Sequence, residues 1–235
     1  TLSELNFTCR RGQTTAIIGG TGTGKSTIAS LILRFHDVTR GAILLNGTDI
    51  RRMPQHFLRE RLAYVQQKAW LFSGTIADNL RYSDPDASRE TMLHAVDVAQ
   101  AGEFVGALPD GLDSFVAQGG TNFSGGQRQR LSIARALVKK PELYIFDDSF
   151  SALDFKTDAA LRKALAKETQ DAAVLIIAQR VSTIQHADQI IVLHEGRMAS
   201  IGRHEELLKT CGVYREIYES QTKTAGETGK EEREP

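Results

Sequence analysis

The stretch Gly19-Gly20-Thr21-Gly22-Thr23-Gly24-Lys25-Ser26-Thr27 decides the fold. It fits G-x-x-x-x-G-K-S/T, a phosphate-binding loop set between a strand and a helix. Both flanks have the required form. Thr14-Thr15-Ala16-Ile17-Ile18 reads as a buried strand, and the segment carrying Ile28, Ala29, Leu31, Ile32 and Phe35 as a buried helix. Glycines let the backbone wrap closely round a phosphate, because no Cβ blocks positive φ or close approach. Successive N–H groups and the helix N-terminus supply partial positive charge. In such a loop Lys25 reaches the β- and γ-phosphates and the Ser26 hydroxyl ligates Mg²⁺. A glycine-rich turn that binds nothing is the plain alternative. The Lys-Ser pair and both flanks speak against it.

Composition narrows the class. With 235 residues, 41% of them hydrophobic, the chain can bury a substantial core in one domain, or in one domain with a subdomain. Lys and Arg number 29, as do Asp and Glu, so no basic surplus points to nucleic acid. Cys9 and Cys211 lie far apart and in no metal spacing, which suits free thiols in a reducing compartment. The histidines (His36, His56, His94, His186, His194 and His204) form no metal-spaced pair with a carboxylate and read as surface or capping residues. No apolar run approaches the ~20 residues needed to cross a bilayer, and no signal peptide is visible. The chain starts at Thr1, inside a domain pattern and without methionine, which predicts a piece of a longer polypeptide.

Leu2 to Thr8 alternates like an edge strand. Ala42 to Leu45 predicts a strand, Asn46-Gly47 a hairpin turn, and Leu62 to Val65 a further strand. From Ser73 to about Lys140 the character is helical. Ser88 caps a helix with Met92, Leu93, Val96 and Ala99 at helical period, Gly102 ends it, and another helix spans about 125–138. Strand–helix alternation then returns: strands at 143–146, 173–177 and 189–193, a helix at about 155–167, a turn at Glu195-Gly196, and short helices over 205–218. From about Thr222 the polar, Gly-containing tail is expected to be disordered. The layout is a core over 1–72, a helical insert over 73–140, the rest of the core over 141–221 and a tail over 222–235. Such alternation implies parallel strands with helices on both faces, and ligands at the strands' carboxyl ends.

Two further constellations carry chemistry. Asp147-Asp148 follows an apolar strand directly, where Mg²⁺ beside a phosphate loop needs a carboxylate. Asp147 suits that role, and Asp148 the orienting of an attacking water. Two acids capping the next turn is the alternative. Ser124-Gly125-Gly126-Gln127 opens a helix. It reads either as an anion site of hydroxyl, free N–H groups and dipole, or as an ordinary N-cap with glycines for tight packing.

The phosphate loop, Gln67, Ser124 to Gln127, Asp147-Asp148 and Ser151-Ala152-Leu153-Asp154 occur in the order and spacing of ABC transporter nucleotide-binding domains. The resemblance covers about residues 1–220. It is of exporter type through 71–76 and 176–184, which also separates the chain from soluble relatives of DNA repair or translation. The resemblance implies an α/β fold: a P-loop core with a mostly parallel sheet, flanking helices, a small antiparallel part and an inserted helical signature subdomain. It implies ATP and Mg²⁺, with Ser26, Gln67 and Asp147 at the metal. It also implies a head-to-tail pair of domains in which Gly19 to Thr27 of one and Ser124 to Gln127 of the other enclose each ATP. Gln67, five residues before Phe72, resembles the glutamine linking core to insert. Asp154 belongs to a loop that crosses the pair. The partners implied are a second nucleotide-binding domain and a transmembrane domain, at the cytoplasmic face of the cell membrane.

This sequence departs from the family at the hydrolytic apparatus. Position 148 is Asp where Glu is usual, and position 179 is Gln where His is usual. Phe123 replaces the more usual Leu, and Gln118 the usual Glu. The aromatic that stacks on adenine falls upstream of Thr1. Losing one methylene at 148 withdraws the carboxylate by more than ~1 Å, and misplacement of that size costs ~10²-fold in rate. Gln179 can hydrogen-bond a γ-phosphate but carries no positive charge. The expectation is an ATPase whose own site retains ATP and turns over slowly, forming the weak half of an asymmetric pair; a mainly regulatory, ATP-holding half is the second reading, and a fully active homodimer the plain one.

Overall fold

The computed structural model describes residues 2–231, with side chains as far as Thr222. In chain order its elements are β1 (Thr14–Gly19), α1 (Lys25–Ile32), β2 (Leu44–Leu45), β3 (Thr48–Asp49), α2 (Gln55–Glu60) and β4 (Leu62–Val65). The insert follows with β5 (Gly74–Thr75), α3 (Ile76–Arg81), α4 (Arg89–Val98), α5 (Gly102–Gly106), β6 (Phe115–Val116) and α6 (Gly125–Val138). The second half of the core has β7 (Leu143–Asp147), α7 (Phe155–Glu168), β8 (Ala173–Ile177), α8 (Val181–Ile184), β9 (Gln189–His194), β10 (Arg197–Gly202), α9 (His204–Thr210) and α10 (Gly212–Glu231).

Six strands form one sheet in the order β10-β9-β1-β8-β7-β4, parallel except for the antiparallel edge pair β9–β10. The apolar runs have no polar face because both faces are covered. On one side Ala16, Ile18, Phe146 and Ile176 pack with Leu131, Leu161 and Tyr214 from the insert and the later helices. On the other Ile17, Ile145, Leu175 and Ile177 pack with Ile28, Ala29 and Leu58 from α1 and α2. The crossovers from β4 to β7 and from β7 to β8, with β8 paired to β1, bring the carboxyl ends of four adjacent strands into one row: β4, β7, β8 and β1. Gln66-Gln67, Asp147-Asp148, Gln179 and the phosphate loop sit at or just beyond those ends.

Local chemistry explains most boundaries. Asn46 and Gly47, both with positive φ (49° and 78°), make the predicted β2–β3 hairpin turn. Thr75 caps α3 with a reciprocal capping box to Asp78, and Ser88 caps α4 as expected.

Several expectations need correction. Leu2 to Thr8 joins no sheet. Glu4 turns left-handed (φ 58°), which breaks an extended run, and Ser3 makes one ladder-like bond, its N–H donating to the Gly196 carbonyl (2.9 Å). Leu2, Leu5 and Phe7 still pack on the core, so the alternation marks burial rather than pairing. Ala42 and Ile43 precede the short β2 rather than belonging to it. Phe35 is half exposed, because left-handed Arg34 (φ 54°) ends the first helix before it. Leu93 is also exposed. Gly102 opens α5 instead of ending α4; left-handed Gln100 (φ 57°) does the latter. A Cβ at 102 would collide with the Asp97 carboxylate, which is why glycine stands there. α10 runs through 222–231, within the stretch expected to be disordered, and 232–235 lie outside the described residues.

Candidate nucleotide-binding and hydrolysis site

The phosphate loop leaves β1 at Gly19 and enters α1 at Lys25. Gly22 and Gly24 take positive φ (78° and 97°), and Gly24 occupies the helix N-cap, where no side chain bonds the first N–H groups. Those uncapped donors together with the positive end of α1 have the chemistry of an anion cradle. A Cβ on Gly19 would lie 2.5 Å from the Leu193 carbonyl oxygen, so the loop can leave the sheet only through glycine. Thr23 Oγ1 donates to the Gly20 carbonyl (2.9 Å), pinning the tip. Lys25 Nζ donates to the Gly19 and Gly20 carbonyls (2.7 and 2.8 Å), which folds its ammonium across the cradle. Burial pushes the Lys25 pKa down, while Asp148 and Asp147 oppose that shift.

Asp147 ends β7 and is buried. Its Oδ1 accepts from Ser26 Oγ (3.2 Å) and its Oδ2 from the Tyr64 hydroxyl (3.0 Å). Registered pairs Tyr64–Ile145 and Val65–Phe146 make Tyr64 a diagonal neighbour of Asp147 on one face of β4–β7, within reach of an aromatic side chain. Burial, then the Asp147 charge, raise the Tyr64 pKa, so the phenol remains a donor. Ser26 Oγ and the Asp147 carboxylate form a pair of hard oxygens held together, while Gln67 meets Asp148 through its amide nitrogen. That pair fits Mg²⁺, which takes one or two carboxylates and completes its shell with phosphates and water. Among the described residues no cluster of three or more His, Cys, Asp or Glu could hold a metal by itself.

Asp148 is the junction. Its backbone is left-handed (φ 47°), and its N–H donates to the Ile177 carbonyl (2.7 Å). Its Oδ2 accepts from both Gln67 Nε2 (2.8 Å) and Gln179 Nε2 (3.0 Å). One oxygen thus ties the segment after β4 to the segment after β8. Burial pushes the Asp148 pKa up, against the hydrogen bonds from Gln179 and Gln67.

Comparison with known proteins adds the decisive observation. The family model described as ABC transporter matches residues 2–151. The chain belongs to the ABC transporter family. It is 48% identical over 227 residues to an uncharacterised ABC transporter ATP-binding protein of Mycobacterium tuberculosis, covering 95% of this chain and 39% of that protein. To the ATP-dependent lipid A-core flippase of Chromobacterium violaceum it is 42% identical, covering 94% of this chain and 38% of the flippase. A solved bacterial Atm1-family ABC exporter with ATP bound superposes with a TM-score of 0.90 at 40% identity, over 94% of this chain and 38% of the exporter. The chain therefore spans about two fifths of the length of these relatives, and it is an ATP-binding domain of the exporter type.

The remaining expected residues of this ABC domain lie apart from that junction. Ser124 is the N-cap of α6: its Oγ accepts from the Gln127 N–H (3.2 Å), and Gln127 Oε1 accepts from the Ser124 N–H (2.9 Å). Ser124 is thus an N-cap within this chain. A Cβ on Gly126 would sit 3.4 Å from the Ala152 carbonyl, so the signature lies against the loop that ends at Asp154. Asp154 caps α7 by accepting from the Thr157 N–H (2.9 Å), and hydrogen bonding from the Thr157 side chain and then its backbone holds the Asp154 carboxyl below the usual range. Among the described residues no hydrogen bond joins Ser124 to Gln127 with the phosphate loop. Sequence reasoning missed Tyr64, Ser149, whose hydroxyl donates to the Val65 carbonyl (2.7 Å), and Gln129, buried and donating to the Gln66 carbonyl (3.1 Å). Polar residues at inward helical or strand positions, as Gln129 is in α6, were the available signal.

Proposed function

We propose that this chain is the ATP-hydrolysing motor domain of an exporter whose own site holds ATP with Mg²⁺ and cleaves it slowly. The observation that carries the reading is the contrast within one site. Gly19 to Thr27, Ser26 and Asp147 form a complete phosphate and cation cradle, while both usual hydrolytic side chains are replaced by shorter or neutral ones at Asp148 and Gln179. Lys25 and the α1 N-terminus neutralise phosphate charge. Ser26, Asp147 and Gln67 would hold Mg²⁺, which would supply charge neutralisation on the phosphate oxygens. Asp148 orients water and Gln179 touches the γ-phosphate. Gln67 and Gln179 both donate to Asp148 Oδ2, so any reorientation of that carboxylate toward a water works against two hydrogen bonds, which favours slow chemistry. The same observation supports a second reading, a mainly ATP-retaining regulatory half.

Two such domains pair head to tail, each supplying Ser124 to Gln127 and the loop at Asp154 to the other's ATP. A transmembrane domain connects through the insert, at the cytoplasmic face of the membrane. The exposed aromatic surface at Trp70, Phe72 and Tyr82, with Phe72 stacked on Tyr82 at 4.3 Å, supports such a docking face. No described helix is long and apolar enough to cross a membrane.

Equilibrium titration with Mg·ATP and single-turnover hydrolysis test the proposal together. Saturable binding is expected, lost by about 2–5 kcal/mol in Lys25→Ala. Turnover should be slow and rise on the order of 10²-fold in Asp148→Glu/Gln179→His. An ordinary, fast wild-type rate that the double variant does not raise removes the slow-site reading, and a slow wild-type rate that stays slow in the double variant, with tight ATP, favours the regulatory one.

A further inference from the structure

The segment after β8, residues 179–184, is gripped by side chains that the reaction as described does not use. Gln221, on α10, lies 42 positions beyond Gln179 in sequence and directly against it in space. Its Nε2 donates to the Gln179 carbonyl (2.7 Å) and its Oε1 accepts from the Val181 N–H (2.8 Å). A single amide thereby satisfies both backbone groups that flank Arg180. Val181 is the first residue of α8, and Arg180 at its N-cap offers no side-chain cap, so the Val181 N–H is one of the donors a helix start leaves unmet. Gln221 takes the place of a cap contributed from another helix. α10 is itself fixed: Tyr214 is fully buried, its hydroxyl shares a hydrogen bond with His204 Nδ1 (2.8 Å), and Ile217 and Tyr218 pack on the core. On the opposite flank Arg162 of α7 donates to the Ser182 and Thr183 carbonyls (3.1 and 3.2 Å) while paired with Asp158.

We propose that Gln221 is a positioning residue for ATP hydrolysis: by clamping the backbone on both sides of position 180, it aims the Gln179 side chain, and it makes the C-terminal helix an input to turnover. The path is short. Gln221 holds the Gln179 carbonyl, and the Gln179 amide holds Asp148 Oδ2. Releasing the clamp lets residue 179 rotate and leaves one helix donor unsatisfied. The phosphate loop is untouched, because Gly19 to Thr27 make no contact with Gln221 among the described hydrogen bonds. The effect therefore falls on the chemical step and not on nucleotide grip. The inference rests on the proposed contact of residue 179 with the γ-phosphate.

Three variants test it in the same chain: Gln221→Met, which keeps length and helix packing without either hydrogen bond, Gln221→Glu, and Gln179→Ala. Hydrogen exchange at the Val181 amide should speed about tenfold in Gln221→Met, the equivalent of one net hydrogen bond. Its single-turnover rate should fall several-fold with the Mg·ATP dissociation constant within about twofold of wild type, a split that simple loss of stability would not give. In Gln221→Glu an ionised carboxylate accepts from Val181 but repels the Gln179 carbonyl, whereas a protonated one can donate to it. Its rate relative to wild type should accordingly rise as pH falls from about 6 to about 4, through the ordinary carboxyl range. If Gln179→Ala slows hydrolysis while Gln221→Met does not, the clamp is wrong and the site reading survives. Faster exchange with an unchanged rate likewise overturns the clamp, as a structural tether only. If Gln179→Ala leaves the rate unchanged, the site reading fails and this inference with it.

Discussion

Asp148 carries two constraints that pull its chemistry in opposite directions. Its left-handed backbone suits Asp or Asn, whose short side chains tolerate that conformation, and disfavours Glu. Its burial disfavours the charge that the site requires. Because the folded pKa is raised, the native state holds more protons than the unfolded chain between the ordinary carboxyl value near 3.9 and the raised value. Stability from this group is thus fully present below about pH 4 and declines as pH rises through the folded pKa. Gln67 and Gln179 donate to the same oxygen, so Asp148→Asn can keep both bonds on its amide oxygen while removing the buried charge. Thermal melts should place Asp148→Asn above wild type at neutral pH, with the gap closing below about pH 4. Asp148→Glu should show the reverse trade: faster hydrolysis with a lower melting temperature, since a longer side chain occupies a left-handed position. Residues of this kind were readable as motif members, but their geometry was not. Tyr64 acquires its role only through the β4–β7 register, and Gln221 only through the docking of α10, both of which join positions distant in sequence.

At the scale of elements, signals that are local chemistry were legible and those set by packing were not. Leu62–Val65, Ala173–Ile177 and Gly125–Val138 follow the sequence expectation residue for residue, because an apolar run bounded by turns, or a Ser cap with helical period, is a self-contained signal. Helix ends at Ile32 and Val98 escaped it, since Arg34 and Gln100 adopt left-handed geometry without being glycine. The two readings of Ser124 separate at this scale. As an N-cap, Ser124→Ala should cost about 1 kcal/mol of stability and Ser124→Gly only a few tenths. As a hydroxyl acting on a partner's nucleotide, both should reduce the turnover of the assembled pair alike. Chemical denaturation alongside ATPase measurement distinguishes them. The central strand β1 gives a calibration: Ile17 is completely buried between β8 and β9, and Ile17→Ala should lower stability by about 2–5 kcal/mol without a specific effect on nucleotide selectivity.

The whole molecule places the phosphate cradle and the signature on different parts of one chain, the first at the sheet and the second at the head of α6. Ser124 to Gln127 abut the loop ending at Asp154, and no described hydrogen bond reaches from them to the cradle of the same chain. In the proposed pair, this chain therefore owns half of each composite site. Its Asp148 and Gln179 limit the site built on its own cradle, while its signature serves the site built on the partner's. Zero net formal charge leaves pairing to local complementarity and bound nucleotide rather than to long-range attraction. Gly126→Asp places a carboxylate where a partner's γ-phosphate approaches, and like-charge juxtaposition costs several kcal/mol. Combined with a partner domain that carries Glu and His at the positions equivalent to 148 and 179, this variant should depress the pair's ATPase by at least about 10²-fold. The isolated variant should bind Mg·ATP within about twofold of wild type, because its own cradle is intact. Equal loss in Lys25→Ala and Gly126→Asp of isolated-chain ATP affinity would show instead that both motifs serve one nucleotide in one chain, and head-to-tail pairing would have to be abandoned.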